Sequence, residues 1–166
     1  DVYKRQAIEA YNKAISIKPD FAELYLNMGV TLQEQGKLEK AIKAFSKAIF
    51  IKPDFAEPYL NIGIALQEQG KLEEAIEACN KALIIKPNYA VAHHYLSTMK
   101  QYTNVDEHFC RVEKLYNKEN LSVVERCHLD FALAKVYEDI GLLDKAFMHL
   151  SNGNFLRKKE LNYSIE

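Results

Sequence analysis

No uninterrupted apolar stretch in this chain exceeds four residues, as at 48–51 and 82–85, whereas a helix needs roughly 20 to cross a bilayer. A transmembrane segment is therefore excluded, and no membrane partner is expected. Charge of one sign is also missing: 22 basic against 23 acidic side chains in 166 residues leave a formal net charge of −1. Binding to a phosphate backbone needs a basic face that displaces counterions. Only Arg157, Lys158 and Lys159 cluster, so nucleic acid is not an expected partner. Six glycines and four prolines exclude a collagen-like or linker composition. The three cysteines, Cys79, Cys110 and Cys127, are odd in number and too widely spaced for a disulfide framework. They fit a reducing compartment, so the expected location is cytoplasmic. The first six residues show no signal-peptide layout, and the chain lacks an initiator Met. What the composition does hold is 48% hydrophobic and 27% charged residues, the balance of one soluble globular unit.

Internal repetition organises the chain. Prolines stand at 19, 53 and 87, each inside Ile-Lys-Pro-(Asp/Asn)-(Phe/Tyr), at a period of 34. Laying 22–55 over 56–89 without a gap gives 22 identities in 34, including the unbroken Leu-Gln-Glu-Gln-Gly-Lys-Leu-Glu at 32–39 and 66–73. A fixed period of this length marks a repeat array. Within a unit, Tyr25, Met28, Gly29 and Leu32 step at helical spacing, as do Leu38, Ala41, Ile42, Phe45, Ala48 and Ile49. Two amphipathic helices follow. Gly36 and Gly70 end the first helix by taking positive φ, and the proline stops the second. Each unit is thus a helical hairpin.

The order Tyr25, Met28-Gly29, Leu32, Gly36, Ala41, Phe45, Ala48, Pro53 resembles the tetratricopeptide repeat, and Tyr59, Ile62-Gly63, Leu66, Gly70, Ala75, Cys79, Ala82, Pro87 restate it. Small residues at these stations let paired helices approach closely. The resemblance implies an all-α, right-handed superhelical solenoid of helix-turn-helix hairpins. The expected organisation is a partial repeat over 1–21 holding only a second helix, repeats at 22–55 and 56–89, a degenerate repeat or helical linker at 90–121, and a C-terminal hairpin at 122–166. Beginning in mid-repeat, the chain reads as a fragment. In the degenerate stretch Phe109, Val112, Leu115 and Tyr116 still suggest a helix, and Ser122-Val123-Val124-Glu125 has the form of a capping box. Leu133-Ala134, Tyr137, Gly141, Ala146 and Leu150 then restore the hairpin signature, with Gly153 where Ala is usual.

Such arrays use the concave face lined by the first helices for protein or peptide partners. Here that face is expected to comprise Leu26, Asn27, Val30 and Gln33, matched by Leu60, Asn61, Ile64 and Gln67, with Glu23, Glu34, Glu57 and Glu68 alongside. Asn27 and Asn61 resemble two rungs of the asparagine ladder in the superhelical repeats of the O-linked N-acetylglucosamine transferase family. A carboxamide has both donors and an acceptor for a peptide backbone. The third position holds Tyr95, so the ladder has two rungs. The glutamates would repel an acidic peptide terminus, so a neutral or mildly basic extended segment suits the face better.

His93, His94, His108, Cys110, Cys127 and His128 raise a metal reading, but no Cys-x-x-Cys or His-x-x-x-His spacing fixes a tetrahedral site. The expectation is no metal, with buried cysteines and solvated or capping histidines. The glycines form no phosphate loop, no Gly-x-Ser-x-Gly occurs, and the carboxylates interleave with lysines. Neither a cofactor nor catalysis is expected of these residues. Finally, His94-Tyr95-Leu96-Ser97, Lys100, Leu121-Ser122 and the stretch from His128 to Arg157 resemble the linker and last hairpin that precede the catalytic domain of bacterial tetratricopeptide–sulfotransferase proteins. That resemblance implies, as an alternative, the N-terminal arm of an enzyme whose catalytic domain lies beyond residue 166.

Overall fold

A computed structural model describes residues 2–163. Among them every regular element is a helix: α1 (Val2–Ile17), α2 (Ala22–Glu34), α3 (Leu38–Ile51), α4 (Ala56–Glu68), α5 (Leu72–Ile85), α6 (Ala90–Met99), α7 (Glu107–Tyr116), α8 (Val123–Asp139) and α9 (Leu143–Tyr163). The helices gather into two compact units that divide between Pro87 and Asn88.

In the first unit α2 pairs with α3 and α4 with α5, while α1 lies against α2. Gly36 and Gly70 adopt φ of 71° and 76°, the left-handed geometry that only glycine takes without strain. This closes the same motif twice. Gly36 N–H donates to the Gln33 carbonyl at 2.8 Å and Lys37 N–H to the Leu32 carbonyl at 3.0 Å; Gly70 and Lys71 donate to Gln67 and Leu66, each at 2.9 Å. Two otherwise orphaned carbonyls are satisfied at each helix end. The second helices end at Ile51 and Ile85, one residue before the lysine that precedes proline.

Between the paired helices the small stations are fully used. A Cβ on Gly29 would lie 2.4 Å from Phe45 Cε1, and one on Gly63 would lie 2.7 Å from Cys79 Sγ and 3.1 Å from the Ala75 carbonyl oxygen. Leu32, Ala41, Ala44 and Phe45 form a buried cluster that Ile8 of α1 and Ile62 of α4 also touch. Successive hairpins therefore share one core, as a solenoid requires.

The second unit keeps the hairpin principle with altered connections. After α6, a glycine-free connector over 100–106 replaces the tight turn. It is held by the Lys100–Asp106 ion pair at 2.5 Å, by the Tyr102 N–H donating to Asp139 at 3.1 Å, and by Asp106 capping α7 through the Phe109 N–H at 2.8 Å. The capping box at Ser122 and Glu125 starts α8. Gly141, at φ 80°, repeats the helix-ending motif through Leu142 N–H to the Tyr137 carbonyl at 2.8 Å. Phe109, Val112, Leu115, Leu129, Leu133 and Val136 centre the core of this unit. α9 approaches α8 so closely at Gly153 that a Cβ there would stand 3.0 Å from the Phe131 ring.

Candidate peptide-binding face

The first helices α2 and α4 present their face through three consecutive repeat positions each. Asn27 is exposed and Asn61 half-buried, one repeat apart and on the same helical station. No side-chain hydrogen bond among the described residues engages either carboxamide, so both keep donors and an acceptor for another molecule. Val30 is exposed and Ile64 half-buried beside them. The Gln33 carboxamide donates to Glu68 at 2.7 Å, tying the C-terminal ends of α2 and α4 together, and Gln67 is half-buried.

The leucines need a correction. Leu60 is only 2% exposed and cannot line an accessible face; it lies four residues after Ala56 and three before Gly63, both buried, which puts all three on one inward stripe of the helix. Leu26 is half-buried and packs on the Leu32–Phe45 cluster. Both leucines support the face from beneath.

The four glutamates are also placed differently from bare repelling charges. Glu23 pairs with Lys52 at 3.9 Å, Glu57 with Lys86 at 3.5 Å and Glu34 with Lys4 at 3.2 Å, while Glu68 accepts the Gln33 hydrogen bond. These are exposed or part-exposed pairs, so their value lies in local neutralisation more than in stability.

In the second unit the corresponding positions of α6 and α8 carry rings. His94 stacks on Phe131 at 5.4 Å between centroids and lies 5.7 Å from Tyr95, and its Nδ1 meets His128 Nδ1 at 3.0 Å. Beneath, the His93 and His108 rings meet at 3.0 Å, and the Tyr102 hydroxyl lies 2.6 Å from the other nitrogen of His108. The expectation of solvated or capping histidines is thus incorrect for these four: the fold joins residues 15 and 34 apart in sequence into pairs.

Burial opposes a charge on His94, His108 and His128. Desolvation, then the neighbouring ring and Arg157, lower His94 to about 4; desolvation, then His93 and Lys100, lower His108 to about 3. His128 is lowered chiefly by burial, and burial holds the Tyr102 phenol above its ordinary range. The cysteines stay apart from the pairs. Cys110 is exposed, Cys127 donates to the Gly153 carbonyl at 3.3 Å, and burial pushes the Cys79 thiol up to about 12. Among the described residues no group of three or more His, Cys, Asp or Glu is arranged to hold a metal ion.

Sequence reasoning missed one further pair, His149 Nδ1 at 2.7 Å from Asp130 Oδ1, with both residues buried. The Tyr137 ring stacks on His149 and the Tyr116 ring meets it edge-on. A signal existed: counted back from the helix-ending glycines, Tyr25, Tyr59 and Asp130 hold the same station, and His93 follows Tyr59 by one period. A polar residue on a core station demands a buried partner.

Hairpins of this geometry define the helical-repeat class of proteins. Family models of the TPR repeat match residues 5–36 and 31–70, and that of the tetratricopeptide repeat matches 56–89. The chain belongs to the tetratricopeptide repeat family. Among solved structures it is similar to MamA, at 25% identity over 94% of this chain and 90% of that one with a TM-score of 0.61. It is also similar to a chain of the APC/C hetero-tetramer Cut9–Hcn1, at 20% identity and a TM-score of 0.75 over 94% of this chain and 29% of that one; at that identity the likeness shows the fold. No curated protein matches the sequence. A chain of this family and architecture is a protein–protein interaction scaffold.

Proposed function

We propose that the first unit holds an extended peptide along α2 and α4, with Asn27 and Asn61 binding its backbone amides and Val30 and Ile64 contacting its side chains. The observation that carries this reading is the recurrence of two uncommitted carboxamides at one station of successive repeats. The surrounding glutamates support it, since three already pair with a Lys and the fourth with a Gln, which leaves a nearly neutral face whose lysines are engaged by these glutamates and not offered to an acidic tail. A neutral or mildly basic segment is the ligand class. The reading includes no catalytic step, cofactor, metal, nucleic acid or membrane; no described helix is long and apolar enough to cross a membrane. The resemblance of the second unit to the arm of sulfotransferase proteins is one of sequence, and no activity is attached to it.

The test uses peptides selected from a display library on the unmodified protein. Asn27→Ala combined with Asn61→Ala is expected to weaken their binding at least about tenfold, the equivalent of one or two lost hydrogen bonds, with the helical circular dichroism unchanged. Full binding by the double variant removes the ladder.

A further inference from the structure

All five histidines of the chain lie beyond residue 88, and each meets another histidine or an aspartate side chain. The first unit has none. We propose that the second unit is an acid-operated latch: the pairs His93–His108 and His94–His128 hold α6 against α7 and α8 only while at least one ring of each pair is neutral, so that acid opens this unit and leaves the first one folded.

The geometry sets the requirement. Two ring nitrogens 3.0 Å apart accommodate one hydrogen between them, one ring donating and the other accepting. A neutral pair fits; a doubly protonated pair brings two N–H groups face to face. In the inner pair the register is continued by the Tyr102 hydroxyl, which donates to His108 Nδ1 when His108 Nε2 carries the hydrogen toward His93 Nδ1. All three residues are buried, so a proton that upsets this order has no water to turn to.

The charged surroundings favour opening. Toward His108 stand Lys100 from the connector, Arg111 from α7 itself and Asp106 at its cap; Asp106 is already claimed by Lys100 and the Phe109 N–H. Toward His94 stand His128 of α8 and Arg157 of α9, and toward His128 stand Arg157 and Glu160 of α9. Arg157 opposes a charge on both rings of the outer pair, while Glu160 favours one on His128 alone. His149 differs, because its partner is the Asp130 carboxyl group and not a second imidazole, and it takes no part in the latch.

The direction with pH follows. In the unfolded chain these rings take up protons near pH 6.5, whereas in the folded unit His94 and His108 resist to about 4 and about 3. The unfolded form therefore binds more protons throughout that interval, and the stability present above pH 6.5 is lost as the pH falls through it.

Hydrogen exchange by mass spectrometry on the whole chain, corrected for intrinsic rates, reads both units at once. Between about pH 7.5 and about pH 5, the amides of α6, α7 and α8 are expected to lose at least about tenfold in protection, and those of α2 to α5 to change less than about twofold. Protection of the second unit that is unchanged, or lost together with the first, overturns the latch. His108→Gln keeps a donor and an acceptor but does not titrate. It is expected to move the opening of the second unit to lower pH, and an unmoved transition overturns the role of the inner pair. Should this variant be unfolded at neutral pH, the contrast between units in the unmodified chain decides.

Discussion

Replacing Gly29 by Ala pits two known effects against each other. Inside a helix, alanine is favoured over glycine by about 1 kcal/mol. The new methyl, however, would stand 2.4, 2.6 and 2.9 Å from Cε1, Cδ1 and Cζ of Phe45, where carbon atoms in contact ordinarily keep about 3.5 to 4.0 Å. The ring must retreat by about 1 Å, and it is 0% exposed, with Leu32, Ala41 and Ala44 around it. Overpacking of this kind costs typically 1–3 kcal/mol and sometimes more, so the expected net effect is a loss of up to about 2 kcal/mol. Phe45→Ala leaves a cavity and alone costs about 3–5 kcal/mol. An alanine has no atoms where Cδ1, Cε1 and Cζ were, nor the sulfur that stands 2.7 Å from the equivalent Cβ position at Gly63 in the next repeat. The double variant should therefore be more stable than the sum of the two losses implies, by about 1–3 kcal/mol of coupling. Urea titrations of the four proteins, read by helical dichroism and by exchange of the α2 and α3 amides, measure the cycle. A stabilising Gly29→Ala, or strictly additive losses, would refute the close approach assigned to this helix pair.

Two further outcomes follow from local chemistry. Ser122→Ala removes the hydroxyl that accepts from Glu125 N–H at 3.2 Å, and the loss of this cap should cost about 1 kcal/mol, visible as faster exchange in the first turn of α8 but not of α2. A thiol reagent at neutral pH should modify exposed Cys110 rapidly and leave Cys79 untouched until denaturant is added, since Cys79 is buried and its thiol is pushed up to about 12; equal rates in the native protein would contradict the packing of α4 on α5.

The periodic half of the chain is legible because its signals are local. A glycine that must turn left-handed, a proline that must stop a helix and small residues every three or four positions all act within one hairpin, and the spacing of Gly36, Pro53, Gly70 and Pro87 carries them. The start of α8 is legible for the same reason, its capping box spanning four residues. Leu60 is not, since its burial depends on how far around α4 the packing extends, and the helical phase alone leaves that boundary open. The histidine pairs are least legible. His93 and His108 meet across a connector without turn glycines, and His94 and His128 meet across a whole helix between them, so no short-range pattern announces either contact. The uncommitted state of Asn27 and the engaged state of Gln33 likewise emerge only once α2 and α4 lie side by side.

The lysine before the proline that ends each repeat has a consequence for how such an array grows. Lys52 reaches back to Glu23 and Lys86 to Glu57, each within its own hairpin. A duplicated hairpin therefore brings the partner of its first glutamate with it, whereas its second, like Glu68, is engaged only by a glutamine of the hairpin before it. Copies added end to end thus stay balanced at the first station and gain acidic character at the second.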